Sequence, residues 1–257
     1  MKLLATDYDG TLCYGEHIMD EDLEAIRRWK EAGNLYVVAT GRSQESIKKQ
    51  IEKFDLPFDY LICNNGGMIF DENYRELEAN YLDTITAIDL MYAASEFEDV
   101  ASLVVNDGRN RHKLVINPNV PDHRYPTMQP DMTLEEVMDI GKFAQIVLSM
   151  SSTEAALEMA EQINEFFSSQ VTAFVNGYCV DVDPKGISKA TGMDYITAYT
   201  DVDEPDIYTL GDAHNDIPLI EYGLNGAAIE MAPEDVKERA ARTYPSVSAM
   251  VDEIIEL

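Results

Sequence analysis

Lysine and arginine are scarce in this chain. Nineteen basic residues stand against 48 acidic ones, for a formal net charge of −29 over 257 residues. With no cationic excess to neutralise phosphates, nucleic acid and anionic membrane surfaces are excluded as partners. Cysteine is equally sparse. Cys13, Cys63 and Cys179 are odd in number, widely spaced and form no Cys-x-x-Cys pair. That excludes a disulfide scaffold and a thiolate zinc site, and fits reduced cytoplasmic thiols. Nothing approaches the roughly 20 consecutive apolar residues that span a bilayer. The chain runs almost at once into an apolar strand, without the charged, apolar and small-residue segments of an export signal, so a cytoplasmic location is expected. No internal repeat or low-complexity tract is present.

What is present suits an α/β protein of one large domain, or a core with a smaller insertion. Five apolar runs read as parallel core strands: Leu3–Thr6, Leu35–Thr40, Tyr60–Cys63, Ile207–Leu210 and Ala227–Ile229. Helical patterns lie between them. Asp20 is placed to cap a helix carrying Leu23, Ile26 and Trp29 on one face and stopped by Gly33. Ser43 is placed to cap another, with Ile47, Ile51 and Phe54 at helical spacing before Pro57. This alternation predicts a doubly wound parallel sheet with right-handed crossovers.

The alternation breaks between Asp83 and Val182. The order there reads α-ββ-α-β-α-ββ, with turns at Asp107-Gly108 and Asn176-Gly177, a Thr133/Glu136 capping box and a helix opened by Ser151 and Glu154. The expected organisation is therefore a core of residues 1–82 and 183–257, with an α+β cap inserted at 83–182.

The densest chemical signal is Asp7-Tyr8-Asp9-Gly10-Thr11, which follows the first strand. In doubly wound sheets ligands sit beyond the carboxyl ends of the strands, and a glycine there lets backbone approach a ligand closely. Two crowded carboxylates repel unless a cation or a shared proton relieves them, which points to Mg²⁺ and phosphoryl chemistry. Three further signals follow in order: Thr40-Gly41-Arg42, Lys189 in Lys185-Gly186-Ile187-Ser188-Lys189-Ala190, and Gly211-Asp212-Ala213-His214-Asn215-Asp216. With Asn64-Asn65-Gly66-Gly67 after the third strand, the chain resembles the haloacid dehalogenase-like superfamily. Within it, the Cof-type phosphatases with a large inserted cap are the nearest likeness.

The resemblance implies a Rossmann-like core and hydrolysis of a small phosphorylated metabolite, sugar phosphates foremost, with Mg²⁺ as cofactor. Asp7 would attack phosphorus and carry an aspartyl-phosphate. Asp9 would act as general acid and then base, its backbone carbonyl reaching the metal as in the family. Thr40 offers a hydroxyl to the phosphoryl group and Lys189 an ammonium. Lys185 is the rival lysine, but the family's charge follows the glycine, at a helix start. Asp212 joins Asp7 on the metal, and Asn215 and Asp216 orient the metal ligands or Lys189 from a second layer. Gly10, Gly41, Arg42 and Asn215 join Thr40 and Lys189 as candidate substrate-binding positions, Arg42 reading chiefly as a turn residue anchored to carboxylates. Cys13 and His214 read as neighbours of the site, and Tyr8 as a packed ring.

In the cap, Arg109, Arg111, His112, Lys113, His123 and Arg124 are the available cations for the rest of a substrate. The hairpin from Arg109 to Lys113 is the densest cluster. The cap is short by about one αβ unit beside the fuller family version. Two other readings use the same residues: a phosphomutase on sugar phosphates, and a non-catalytic acyl-phosphate or metal-binding module. A mutase needs a cationic site for a second phosphate, and a slow switch has no use for an acid–base group at Asp9.

Overall fold

Strand β1 (Leu3–Asp7) is buried along its whole length in a computed structural model that describes residues 1–256. Around it the chain divides into two compact units. Unit 1 comprises Met1–Arg42, Ser46–Glu78 and the chain from Ser188 onward; unit 2 comprises Ser43–Glu45 and Ala79–Ile187. None of the described helices is long and apolar enough to cross a membrane.

From the start of the chain, β1 is followed by a small hairpin, β2 (Cys13–Tyr14) and β3 (His17–Ile18). Next come α1 (Asp20–Glu31), β4 (Leu35–Ala39), α2 (Gln44–Phe54) and β5 (Tyr60–Cys63). Strands β6 (Met68–Asp71) and β7 (Glu76–Ala79) lead to unit 2. There the order is α3 (Thr84–Ser95), β8 (Val100–Asn106), β9 (Arg111–Val115), α4 (Leu134–Met138), β10 (Gln145–Met150), α5 (Thr153–Phe166), β11 (Val171–Asn176) and β12 (Cys179–Pro184). The chain then returns through α6 (Lys189–Thr200), β13 (Ile207–Gly211), α7 (Ile217–Ile220) and β14 (Asn225–Ile229). It closes with α8 (Glu234–Lys237), β15 (Arg242–Tyr244) and α9 (Val247–Ile254).

Unit 1 is built on a sheet of order β15-β14-β13-β1-β4-β5-β6-β7. The strands from β15 to β5 run parallel, as the alternating pattern predicts. β6 turns back antiparallel on β5, which the sequence pattern did not reveal. Its residues follow β5 through the Asn64–Gly66 turn, and a hairpin return carries no crossover helix to mark it. Trp29 is fully buried and its indole N–H donates to the Leu35 carbonyl at 2.8 Å, seating α1 against the head of β4. Helix α1 begins one residue earlier than a cap at Asp20 implies. Met19 is the N-cap, and Asp20, Glu21 and Asp22 lie in the first turn, where their charge suits the helix dipole.

The five-stranded sheet of unit 2, ordered β11-β12-β10-β8-β9, is antiparallel at every pairing. Its element order matches the α-ββ-α-β-α-ββ reading. Ser152, not Ser151, caps α5, because Ser151 spends its hydroxyl on Asp99 at 2.6 Å. One face is apolar: Leu103, Val105, Ile146, Leu148, Val180 and Val182 pack with α3 and α5 residues such as Leu90 and Met159.

The other face carries polar residues that are nevertheless buried, and a loop explains them. Tyr125 and Met128 lie against Val104, Val147 and Cys179. Asp122 accepts from Ser102 Oγ at 2.7 Å, Ser149 Oγ at 2.8 Å and the Tyr125 N–H at 2.8 Å. Lys113 Nζ lies 2.7 Å from the same carboxylate and donates to the Tyr125 carbonyl at 2.6 Å. Lys113 is therefore a fastener of the loop, and is removed from the list of free hairpin cations. His112 is also engaged, with Nδ1 2.8 Å from Asp131.

Burial alone would push Asp122 upward, but the bonds from Lys113, Ser102, Tyr125 and Ser149 outweigh it and hold its pKa at about 2. A carboxyl lowered from an ordinary 3.8 stabilises the fold fully above about pH 4 and loses that stabilisation as the pH falls through 2. Asp122→Asn is expected to cost about 2–3 kcal/mol at pH 7. The deficit should shrink between pH 4 and pH 2, read as the difference in urea unfolding midpoints from wild type. A deficit that stays constant with pH would show that the carboxylate is not what fastens the loop.

Candidate active site

The strand order reverses at β1: the chain goes from β1 to β4 on one side and reaches β13 on the other. Such a switch point opens a crevice at the carboxyl ends of the strands. The register brings the ends together, with Asp7 opposite Ala39 of β4 and Thr6 opposite Leu210 of β13. Asp7, Thr40 and Asp212 therefore leave the sheet side by side.

Lys189 opens α6, capped by Ser188 in a capping box with Thr191. It is fully buried, whereas Lys185 is exposed. Its ammonium donates to Asp7 Oδ1 at 2.5 Å and to Asp216 Oδ1. Burial disfavours the charged amine, but Asp216 and Asp7 overcome that and raise its pKa. Asp216 has no oxygen to spare, since its Oδ2 accepts the Asp212 and Ala213 N–H groups at 3.0 and 2.9 Å. It holds Lys189 and shapes the Asp212 turn at once.

Asp7, Asp212 and Asp216 each present a carboxylate oxygen within 4.8 Å of the others. Burial first, and then Asp216, push Asp7 well above the usual carboxylate range against the pull of Lys189. Asp212 is pushed up to about 6, chiefly by burial and then by Asp216, with the Thr11 hydroxyl opposing. Asp7 Oδ2 is buried and has no hydrogen-bond partner. An orphaned oxygen among crowded carboxylates is a hard-donor arrangement that fits Mg²⁺. Asp7 and Asp212 are the residues that could hold it, since both oxygens of Asp216 already accept hydrogen bonds.

Other expected residues fall around this centre in unit 1. Thr40 is buried, and its Oγ1 accepts the Arg42 N–H at 3.1 Å, leaving its own hydroxyl proton to donate. Arg42 grips Asp9 with a two-pronged fork, Nε on Oδ2 at 2.6 Å and Nη2 on Oδ1 at 2.5 Å. Asn215 Nδ2 donates to Asn65 Oδ1 at 3.3 Å, and the same Asn65 oxygen lies 2.9 Å from where a Cβ on Gly41 would stand. His214 points away, exposed and paired with Asp235 at 2.7 Å. Cys13 is buried and its thiol is pushed up by burial, as befits a packing residue.

Sequence reasoning gave no role to Thr11, whose hydroxyl donates to Asp212 Oδ1 at 2.6 Å. Its place beside Gly10 in the acidic motif was the available signal. Gly10 itself has φ +97°, and a Cβ there would fall 2.3 Å from Asp212 Oδ2. A side chain at this position must displace the carboxylate assigned to the metal.

Magnesium at about 100 times its dissociation constant stabilises a folded protein by about 2.7 kcal/mol. A clear rise in Tm with Mg²⁺ is therefore expected for wild type and for neither Gly10→Ala nor Asp212→Asn. Equal rises in all three proteins would remove the metal assignment.

The whole chain is similar to known proteins. The sequence profile of the haloacid dehalogenase-like hydrolases matches residues 4–250. The chain is 24% identical over 264 residues to the 5-amino-6-(5-phospho-D-ribitylamino)uracil phosphatase YwtE of Bacillus subtilis, covering 93% of this chain and 91% of that protein. It is 25% identical over 254 residues to the pyridoxal phosphate phosphatase YbhA of Escherichia coli, with 93% and 91% covered. Among solved structures, a sugar phosphatase of subclass IIB of the superfamily superposes with a TM-score of 0.83 at 20% identity, over 100% of this chain and 98% of that one. The chain belongs to the haloacid dehalogenase-like hydrolase family and is an enzyme of its phosphatase kind.

Proposed function

We propose that the enzyme is a Mg²⁺-dependent phosphomonoesterase of the cytoplasm, acting on small metabolites, sugar phosphates foremost, through an aspartyl-phosphate on Asp7. One observation carries the reading: at the end of the central strand, a buried carboxylate with an unpartnered oxygen stands against a buried lysine. That pairing supplies a nucleophile and a counter-charge for the group it attacks. The free, buried state of Cys13, Cys63 and Cys179 supports the compartment.

Asp7 attacks phosphorus in line with the ester oxygen; the new O–P bond forms as the P–O ester bond breaks. Lys189 balances charge on the phosphoryl oxygens, helped by the Thr40 hydroxyl. Asp9, protonated, gives its proton to the departing alkoxide. It then takes one from the water that attacks the aspartyl-phosphate, releasing phosphate and restoring Asp7. Asp7, Asp212 and the Asp9 carbonyl would hold Mg²⁺, which when bound would supply charge neutralisation to the transferring group. Residues 83–182 serve, in this reading, as the cap that selects the alcohol part of the substrate. The relatives' named substrates, an aminouracil ribityl phosphate and pyridoxal phosphate, support an organic phosphate of this size.

A panel of phosphorylated metabolites, assayed with and without Mg²⁺, should show phosphate release that needs the cation and no activating bisphosphate. Dependence on a bisphosphate would indicate a mutase. Asp7→Asn keeps the volume and removes the attacking charge, so turnover should fall by at least about 10³-fold with Tm little changed. Near-normal turnover in that variant would end the assignment.

A further inference from the structure

Both oxygens of the Asp9 carboxylate are occupied by one side chain. Arg42 Nε and Nη2 take one each, at 2.6 and 2.5 Å. The guanidinium lies 5.3 Å from the centroid of the Tyr8 ring, and Tyr8 is fully buried. Nη1 donates to Ser46 Oγ at 3.4 Å. The Arg42 main chain is fixed as well: its N–H donates to Thr40 Oγ1 at 3.1 Å, and its carbonyl accepts from the Asn64 N–H at 3.0 Å. A guanidinium so placed has each of its nitrogens engaged within unit 1.

We propose that Arg42 is a positioning residue which acts on the reaction only through Asp9, and that it does not bind the phosphoryl group. The inference rests on the phosphatase reading above. The Asp9 side chain is 41% exposed, and the two bonds from Arg42 orient it. Two residues away stands the Asp7 cluster, whose cation would draw in any loose carboxylate. The fork answers both problems. It fixes the Asp9 plane through two parallel bonds, takes one lone pair of each oxygen and leaves the other, and holds the Asp9 side chain apart from the Asp7 cluster. Lysine, a point charge on a flexible stem, offers no such plane.

The test is a double-mutant cycle on the full-length enzyme with Asp9→Asn, Arg42→Met and Arg42→Lys, with an alkyl phosphate and p-nitrophenyl phosphate as substrates. Inorganic phosphate is the probe of phosphoryl binding. Arg42→Met should lower kcat for the alkyl ester by roughly 30-fold or more, and by under about 5-fold for the nitrophenyl ester, whose leaving group needs little protonation. The inhibition constant of inorganic phosphate should stay within about 2-fold of wild type in both Arg42 variants. In the Asp9→Asn background, removing Arg42 should cost under about 2-fold.

A full extra loss on top of Asp9→Asn, or a weakening of phosphate inhibition by about 10-fold, would overturn the proposal and return Arg42 to the substrate ligands. If Arg42→Met proves unstable by Tm, Arg42→Lys carries the comparison: it retains the charge, so recovery of the alkyl-ester rate would also overturn the fork. If wild type hydrolyses no phosphate ester at all, the phosphatase reading is what has failed.

Discussion

The site depends on a lysine buried without access to water. An ammonium taken out of water is strongly disfavoured unless charged partners meet it in good geometry, and removing one partner of such a pair costs about 3–5 kcal/mol. Lys189 meets two carboxylates, Asp7 and Asp216, and each has further work. Asp216 also takes two backbone N–H groups of the Asp212 turn, so the lysine, the turn and the end of β13 form one connected unit. Asp7 ends the central strand. The buried ammonium is thus what joins α6, β13 and β1.

That junction leaves little room for side chains. A Cβ on Gly10 would strike Asp212, one on Gly66 would stand 2.0 Å from the Ser188 carbonyl, and one on Gly211 would stand 2.5 Å from Asp216 Cβ. These glycines come from separate elements, yet Gly211 lies against Lys189's partner Asp216, Gly66 against its helix start, and Gly10 against the Asp212 whose turn Asp216 holds. The backbone has been brought in close so that four short polar side chains can share one crevice, and the tolerance there is smaller than a methyl group.

That Asp7, Asp212 and Lys189 gather in one place was legible in the sequence, the aspartates from their position at strand ends and Lys189 from the family's motif, in which the charge follows the glycine. Asp216's double duty was partly legible, since its spacing from Asp212 lets it bond the turn's own backbone. The Arg42 fork was only half legible. An arginine after a glycine announces a turn, but its choice of Asp9, 33 residues away, depends on β1 and β4 lying side by side. Lys113 misled for a related reason. Within its hairpin it reads as a surface cation, and only the docking of the following loop shows that Asp122 consumes it. The cap at α5 lies one residue later than expected, where two serines compete for the role, and at α1 one residue earlier, on Met19, which makes no side-chain cap bond. Local chemistry was readable; pairings made across the fold were not.

The charge balance of the site follows from these pairings. Among the described residues, the ion pairs of this cluster are Lys189 with Asp7 and Asp216 and Arg42 with Asp9, so four carboxylates meet two cations. Two negative charges remain, in a chain that is itself strongly acidic. Burial first, and then this crowding of carboxylates, raises the pKa values of Asp7 and Asp212. Protonation would relieve it, but a protonated Asp7 is no nucleophile. A divalent cation would relieve it while leaving the carboxylate ionised, and would bring the crevice to neutrality. Cation and substrate are therefore coupled by electrostatics, even where they share no protein ligand. The acidic surface beyond is screened over roughly 8 Å at physiological salt, so the sign of the field that the substrate meets is decided inside the crevice.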